Sequence, residues 1–153
     1  MLDADVCRSI DECVLCWLAT CSASGAPNVS PKEVFAAFNG DSLVIANIAS
    51  PNSARNIRAT GRACVAFVDV FTQRGFQVSG AARELRKDDP SFESIESILL
   101  VLTEGKFPFK SVFRVMAEEV RTILAPRYVL YPETTEEEQI ASAMVRYGVR
   151  PAT

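Results

Sequence analysis

A tight-turn signal between two apolar runs constrains the fold of this chain more than any other sequence feature. The turn is Asn39-Gly40-Asp41, and it separates apolar runs at residues 27–38 and 43–47. Asn-Gly is a strong short-range hairpin signal because both residues tolerate the positive φ angles that a tight hairpin turn requires. The sequence therefore predicts two antiparallel strands that pair across this turn.

A helix start follows the second of these strands. Ser50 suits the N-cap position, Pro51 suits the first helical position, and Gly61 suits the residue that ends the helix. Free N–H groups and hydroxyls at a helix N-terminus favour anion binding. The hairpin can bring Ser30 and Lys32 of its first strand close to this helix start. We therefore predict an anion site between them.

The remaining apolar patterns predict one mainly β domain with short peripheral helices. Six strands are expected, and they cover residues 14–21, 27–38, 43–47, 63–70, 76–85 and 111–124. Helices are expected at about 3–12, 51–60, 88–102 and 134–147. A closed or nearly closed antiparallel barrel at about 14–124 would leave few exposed strand edges. The strand at 14–21, with Trp17, and a stripe of Ile95, Ile98, Leu99 and Leu102 are expected to be buried.

The composition excludes several classes of function. No histidine is present, which removes Ser-His-Asp and Cys-His catalysis and His-ligated zinc. A net charge of −3 offers no basic excess for a nucleic-acid partner. The sequence has neither a membrane-spanning run nor a signal-peptide pattern, so we expect no membrane partner and a cytoplasmic location.

The cysteines are expected to be structural. Their number, five, is odd and favours a reducing compartment over a disulfide framework. Cys13 and Cys16 form a C-x-x-C pair, but Cys16 lies in an apolar strand run. Free cysteine is a common small core residue, so no metal site is predicted.

The order of these segments resembles the flavin-binding split-barrel family of pyridoxamine-5′-phosphate oxidase. The resemblance covers about residues 14–124. It is sharpest from Pro27–Lys32 through Asn52 and Ser53, and continues in the strand at 63–69 and the run Gln73-Arg74-Gly75-Phe76-Gln77-Val78-Ser79-Gly80. It implies a six-stranded antiparallel split β-barrel that forms a homodimer, with FMN at the dimer interface.

The resemblance also assigns cofactor-binding roles to residues of this chain, although it points to no catalytic residue. The residues near the flavin ring, the ribityl chain or the phosphate would be Ser30, Pro31, Lys32, Ala46, Asn47, Ile48, Asn52, Ser53, Asn56 and Arg74. Of these, Arg74 would reach the flavin of the partner subunit.

Departures from the vitamin enzyme affect the expected substrate. Pyridoxamine-5′-phosphate oxidase carries an Arg-Lys pair where this chain has Pro51 and Asn52, and a Gln where it has Gly75. Its C-terminal Trp and Arg-x-His motif have no counterpart here. The chain therefore looks more like the small FMN-binding and flavin reductase-like members of the family.

The expected activity is hydride or electron transfer through FMN, with NAD(P)H or a redox protein as electron donor. One alternative is a non-catalytic electron-transfer or flavin-storage protein. A second is the same fold with a deazaflavin or haem, although haem without histidine would need a Cys, Met or Tyr ligand. A third is a structural or regulatory dimer without a cofactor.

Overall fold

The computed structural model describes residues 1–151, which form one antiparallel sheet of eight strands surrounded by five helices. The strands are β1 (Cys16–Cys21), β2 (Pro27–Lys32), β3 (Phe35–Phe38), β4 (Ser42–Ala46), β5 (Arg62–Asp69), β6 (Arg74–Leu85), β7 (Val112–Met116) and β8 (Glu119–Leu124). The helices are α1 (Ala4–Glu12), α2 (Pro51–Thr60), α3 (Phe92–Thr103), α4 (Pro126–Leu130) and α5 (Glu136–Tyr147). None of the helices in this part of the chain has the length and apolar character needed to cross a membrane.

The predicted hairpin and its following helix are confirmed. Asn39 and Gly40 have φ angles of 52° and 68°, and they let β3 and β4 pair as neighbouring antiparallel strands. Helix α2 begins at Pro51 and ends at Thr60. Gly61 caps it: the Gly61 N–H donates to the Ile57 carbonyl, and the left-handed φ of 64° turns the following chain away from the helix. Local turn and capping chemistry therefore sets this part of the fold.

The sheet curls until its two ends come close together. The strand order is β2-β1-β5-β6-β7-β4-β3, and β8 pairs with β6 beside this path. Strands β2 and β3 lie at opposite ends of this order, yet only two residues separate them along the chain. A flat sheet could not satisfy both facts, so the sheet forms an open barrel. The expectation of a mainly β, antiparallel split barrel is confirmed.

Two of the six predicted strands are each divided in two. The strand predicted at 27–38 is interrupted at Glu33 and Val34, where the chain passes from one end of the sheet to the other. The strand predicted at 111–124 is interrupted between Met116 and Glu119. Strand β7, before the interruption, pairs with the second half of β6, and β8, after it, pairs with the first half of β6.

Gly80 lies on β6 where the strand changes partners. A Cβ atom at this position would lie 2.0 Å from the Met116 carbonyl oxygen, so no larger residue fits without a backbone shift. The close approach allows β7 and β8 to use the same long strand on either side of Gly80.

The core occupies the barrel interior and extends under three helices. Helices α1 and α2 bury Val6, Ile10 and Ile57 in a cluster that includes Leu18 and Phe67. Helix α3 covers a second cluster, whose members are Phe92, Ile95, Leu99, Val44 and Val112 among others. The two clusters lie on opposite faces of β4, since Leu43 and Ile45 belong to the first and Val44 and Ala46 to the second.

Three expectations about burial were wrong. Only alternate residues of β1 face the core, so Trp17 is 47% exposed. Ile98 and Leu102 are exposed as well, because the face of α3 that packs on the core is formed by Phe92, Ile95, Leu99 and Thr103. The short helix α4 was not predicted.

Candidate functional site

A cavity of about 440 Å³ opens where β2 and β4 end and α2 begins. This volume lies within the range of small-molecule and cofactor pockets. The lining residues are Leu15, Ser30, Pro31, Lys32, Glu33, Val34, Ala46, Ile48, Ala49, Ser50 and Phe107. The fold therefore brings five of the ten predicted cofactor residues, Ser30, Pro31, Lys32, Ala46 and Ile48, to one cavity.

A polar stripe on β2 faces α2. Asn28, Ser30 and Lys32 alternate along the strand with exposed Val29 and Pro31, as the two-residue period of a strand requires. The Lys32 Nζ atom donates hydrogen bonds to Ser30 Oγ at 2.5 Å and to Ser50 Oγ. These contacts join the end of β2 to the residue that precedes α2.

The Lys32 ammonium is buried without a counter-ion. Lys32 is 9% exposed, and no carboxylate within residues 1–151 lies at ion-pair distance from it. Burial lowers its pKa because desolvation disfavours the charged form. An ammonium has three donors and two are used by serines, so one is left for a ligand in the cavity.

The N-terminus of α2 adds further donors next to Lys32. Ser50 occupies the N-cap position, but its hydroxyl accepts from Lys32 and makes no capping bond to the helix. The first helical bond runs from the Ala54 N–H to the Ser50 carbonyl, so the N–H groups of Asn52 and Ser53 precede the helical ladder. Together with Lys32 they form the kind of donor set that binds phosphate groups.

Asn47 lies just outside the cavity and holds the segment between β4 and α2. Its side-chain oxygen accepts the Ser50 N–H at 3.3 Å, and its amide nitrogen donates to Ser111 Oγ at 2.9 Å. The backbone N–H of Asn47 also donates to the Ser111 carbonyl at 3.0 Å. Asn47 is one of the predicted cofactor residues; its side chain bonds to these protein partners, and its role towards a cofactor stays a prediction.

The side chains of Ser53 and Asn56 lie in a buried polar network against the sheet. Asn28 Nδ2 donates to Ser53 Oγ and to Thr20 Oγ1, each at 3.2 Å. Asn56 Nδ2 donates to the same Thr20 hydroxyl at 3.1 Å. These bonds fix α2 on β1 and β2, so both side chains orient the helix while only its start borders the cavity.

Asn52 and Arg74 do not line the cavity. Asn52 is exposed, and its side-chain oxygen accepts from Arg55 at 2.7 Å. Arg74 lies on β6, three strands away from β2 and Lys32 in the order of the sheet. Its guanidinium stacks 4.3 Å from the Tyr128 ring centroid and lies 3.8 Å from the Glu136 carboxylate. A role for Arg74 towards a partner subunit stays a prediction.

The buried thiol of Cys16 lies in the row of the sheet that contains Lys32. The two residues are directly paired between β1 and β2. Burial raises the pKa of Cys16 to about 12, and the Lys32 ammonium opposes this only in part. The pKa of Cys13 is also raised by burial, so both members of the C-x-x-C pair remain thiols at neutral pH.

Sequence reasoning missed several residues that shape the cavity. Leu15, Val34 and Phe107 form apolar walls, and Phe107 comes from the segment after α3, distant in sequence from the hairpin. No local pattern marks these residues. The alternation of Asn28, Ser30 and Lys32 was visible in the sequence and could have identified Asn28.

Comparison with known families gives one match. The family model described as pyridoxamine 5′-phosphate oxidase matches residues 2–124, which include all eight strands and the cavity described above. No curated protein matches the chain.

Several solved structures have the same fold, and two of them are described by different ligands. HupZ from Group A Streptococcus has a TM-score of 0.71 at 20% identity, over 82% of this chain and 96% of its own. An FMN-binding protein from Syntrophomonas wolfei has a TM-score of 0.65 at 17% identity, over 77% of this chain and 84% of its own. HutZ, the haem storage protein from Vibrio cholerae, has a TM-score of 0.59 at 18% identity, over 80% of this chain and 94% of its own. At these identities the likeness concerns the fold alone.

Proposed function

The chain belongs to the pyridoxamine 5′-phosphate oxidase family, and from that premise we propose that it is an FMN-binding oxidoreductase that transfers hydride or electrons. The family match supports the fold, and the cavity is the one described above. The choice of FMN depends on the chemistry of the residues around that cavity.

The observation that carries the proposal is the buried Lys32 ammonium beside the start of α2. A cation buried without a counter-ion is unfavourable, and an anionic ligand in the cavity would offset that cost. The nearby N–H groups of Asn52 and Ser53 also favour negative charge. FMN carries a phosphate that would meet both requirements.

The remaining lining suits the rest of the cofactor. Pro31, Ala46 and Ile48 present apolar surface and backbone to the cavity, as a flat aromatic ring requires. In this proposal Lys32, Ser50 and the α2 start hold the phosphate, while these three residues border the ring and ribityl chain. Bound FMN would supply the hydride or electron transfer, and the protein would supply binding and orientation.

A homodimer is part of the proposal. Trp17 pairs with Pro31 across β1 and β2, and Pro31 lines the cavity. Trp17 and Val29 are 47% and 58% exposed on the outer face of the same two strands. A second copy that covers this apolar face would also close the cavity beside Pro31, so that both subunits would contribute to each site.

An absorbance spectrum of the purified protein, followed by chromatography of the released chromophore, tests the proposal. The two-band visible spectrum of an oxidised flavin, with a chromophore that runs as FMN, would support it. A Soret band would replace FMN with haem, and a chromophore that runs as a deazaflavin would replace it with that cofactor. Colourless protein that also fails to take up added FMN would overturn the cofactor assignment.

A turnover assay tests the activity separately. Oxidation of NAD(P)H with a small acceptor, dependent on bound FMN, would support an oxidoreductase. Stable FMN binding without turnover, even with a redox-protein donor, would leave an electron-transfer or flavin-storage protein.

A further inference from the structure

A buried carboxylate, Glu84 of β6, lies behind the candidate cofactor cavity without lining it. Its side chain is only 4% exposed. Carboxylates are rarely buried unless charged or hydrogen-bonding partners surround them. Its contacts therefore indicate what it holds in place.

Glu84 is bonded to both flanks of the segment that contains Ser50. On one side, Ser111 Oγ donates to Glu84 Oε1 at 2.7 Å and Asn47 Nδ2 approaches the same oxygen at 3.4 Å. On the other side, Arg58 of α2 forms an ion pair with Glu84 Oε2. Arg86 forms a further ion pair at 3.3 Å. The single carboxylate thus joins the end of β4 to the body of α2.

The orientation of the Asn47 amide connects Glu84 to the cavity. A carboxylate and a hydroxyl both attract the amide NH₂ group of Asn47, which leaves the amide oxygen facing the Ser50 N–H. Ser50 then directs its hydroxyl to the Lys32 ammonium. Without the negative charge at Glu84, the orientation that places Asn47 Nδ2 towards Glu84 and Asn47 Oδ1 towards the Ser50 N–H would be less strongly favoured.

The charge of Glu84 is maintained at neutral pH. Burial by itself would raise its pKa, but the hydrogen bonds from Ser111 and Arg58 and the charges of Arg58 and Arg86 together outweigh that effect and leave the pKa below its usual value. The group therefore remains an acceptor for all four of its partners.

We infer that Glu84 is a positioning residue of the cofactor site, which acts through Asn47 and Ser50 to place the phosphate-binding Lys32 and the start of α2. This role rests on the proposed function, because it assumes that the cavity takes a phosphate-bearing cofactor. Glu84 does not line the cavity and is not proposed to contact the ligand.

Flavin titrations with a charge-neutral variant test this role. In Glu84→Gln we expect FMN affinity to fall about tenfold, the effect of losing one hydrogen bond to a charged group, while riboflavin affinity is unchanged because riboflavin lacks the phosphate. Glu118→Gln is the matched control, since Glu118 is also paired with an arginine, Arg62, but contacts nothing in the 47–50 segment. Equal weakening of FMN and riboflavin would overturn the positioning role.

A double-mutant cycle tests the route through Ser50. If Glu84 acts in part through the Ser50 hydroxyl, Glu84→Gln should weaken FMN binding by clearly less than tenfold in a Ser50→Ala background, because the hydroxyl contact with Lys32 is already gone. Any remaining effect reports the start of α2, since the Ser50 N–H is kept. An undiminished tenfold loss in the double variant would contradict this route.

Amide hydrogen exchange in the cofactor-free protein gives a readout that needs no flavin. Glu84→Gln should speed exchange at Ser50 and Ala54 relative to Glu118→Gln, with exchange in β5 unchanged. Unchanged exchange at Ser50 would refute the positioning role. If the wild-type protein binds no flavin, the proposed function fails, and this comparison still decides whether Glu84 holds the segment.

Discussion

Replacement of Lys32 by methionine should separate cofactor affinity from protein stability. Methionine has nearly the length of lysine but carries no charge and no donors. In the folded protein Lys32 is 9% exposed and has only serine hydroxyls as partners. The substitution therefore removes a buried cation whose only proposed counter-ion is the cofactor phosphate.

The two expected effects have opposite signs. A hydrogen bond to a charged group contributes about 1.5–3 kcal/mol, so FMN affinity should fall about 10- to 150-fold in Lys32→Met. The cofactor-free protein should be at least as stable as the wild type, because an uncompensated buried charge has been replaced by an apolar side chain. Ser30 and Ser50 border the cavity and can bond to water after the substitution.

Fluorescence titration with FMN and with riboflavin, together with urea denaturation of the cofactor-free protein, measures both effects. Lys87→Met, at an exposed lysine after β6, is the control and should change neither. Equal losses for FMN and riboflavin would refute the assignment of Lys32 to the phosphate. A large loss of stability in Lys32→Met would refute the argument that its ammonium is uncompensated.

Three further results are expected. Trp17→Glu places a charge on the apolar face beside Pro31. It should therefore turn the proposed homodimer into a monomer in analytical ultracentrifugation and weaken FMN binding. A dimer that persists would place the interface elsewhere. Gly80→Ala should destabilise the protein by about 1–3 kcal/mol in urea, since its Cβ would lie 2.0 Å from the Met116 carbonyl oxygen, and an unchanged midpoint would contradict the packing described there. The third result concerns pH. Between the lowered pKa of Lys32 in the folded protein and its ordinary value of 10.5, the unfolded chain binds one more proton than the folded protein. The free energy of unfolding of the cofactor-free protein should therefore rise with pH in this window, relative to that of Lys32→Met. The raised pKa of Cys16 acts with the opposite sign above 9.0, and the Lys32 charge itself lowers the Cys16 pKa, so both proteins are compared in a Cys16→Ala background. Parallel pH profiles would mean that burial does not shift the Lys32 pKa.

The sequence by itself determined those elements whose causes are local. The hairpin at Asn39-Gly40 and the end of α2 at Gly61 depend on residues that adopt positive φ. The start of α5 depends on the capping box formed by Thr135 and Glu138, three residues apart. Such signals act over a few residues, so they can be recognised without knowledge of the fold.

Part of the candidate site could be predicted in the same way. Ser30 and Lys32 alternate on one strand, and Ser50 precedes a helix with Pro51 at its first position. The hairpin pattern brought these two segments together as an anion site, and the family resemblance then assigned them to a cofactor. Five of the predicted cofactor residues meet at the cavity as a result.

Only the tertiary structure decided which polar side chains face the cavity and which face the protein. Asn47 and Asn56 turn to Ser111 and Thr20, and Arg74 lies on a distant strand against Tyr128. The break at Glu33 and Val34 arises because the two ends of a curled sheet must be joined there. These outcomes depend on contacts between residues far apart in sequence, such as Glu84 with Asn47. The sheet must form before such residues lie close enough to bond, so no local pattern reveals the contacts.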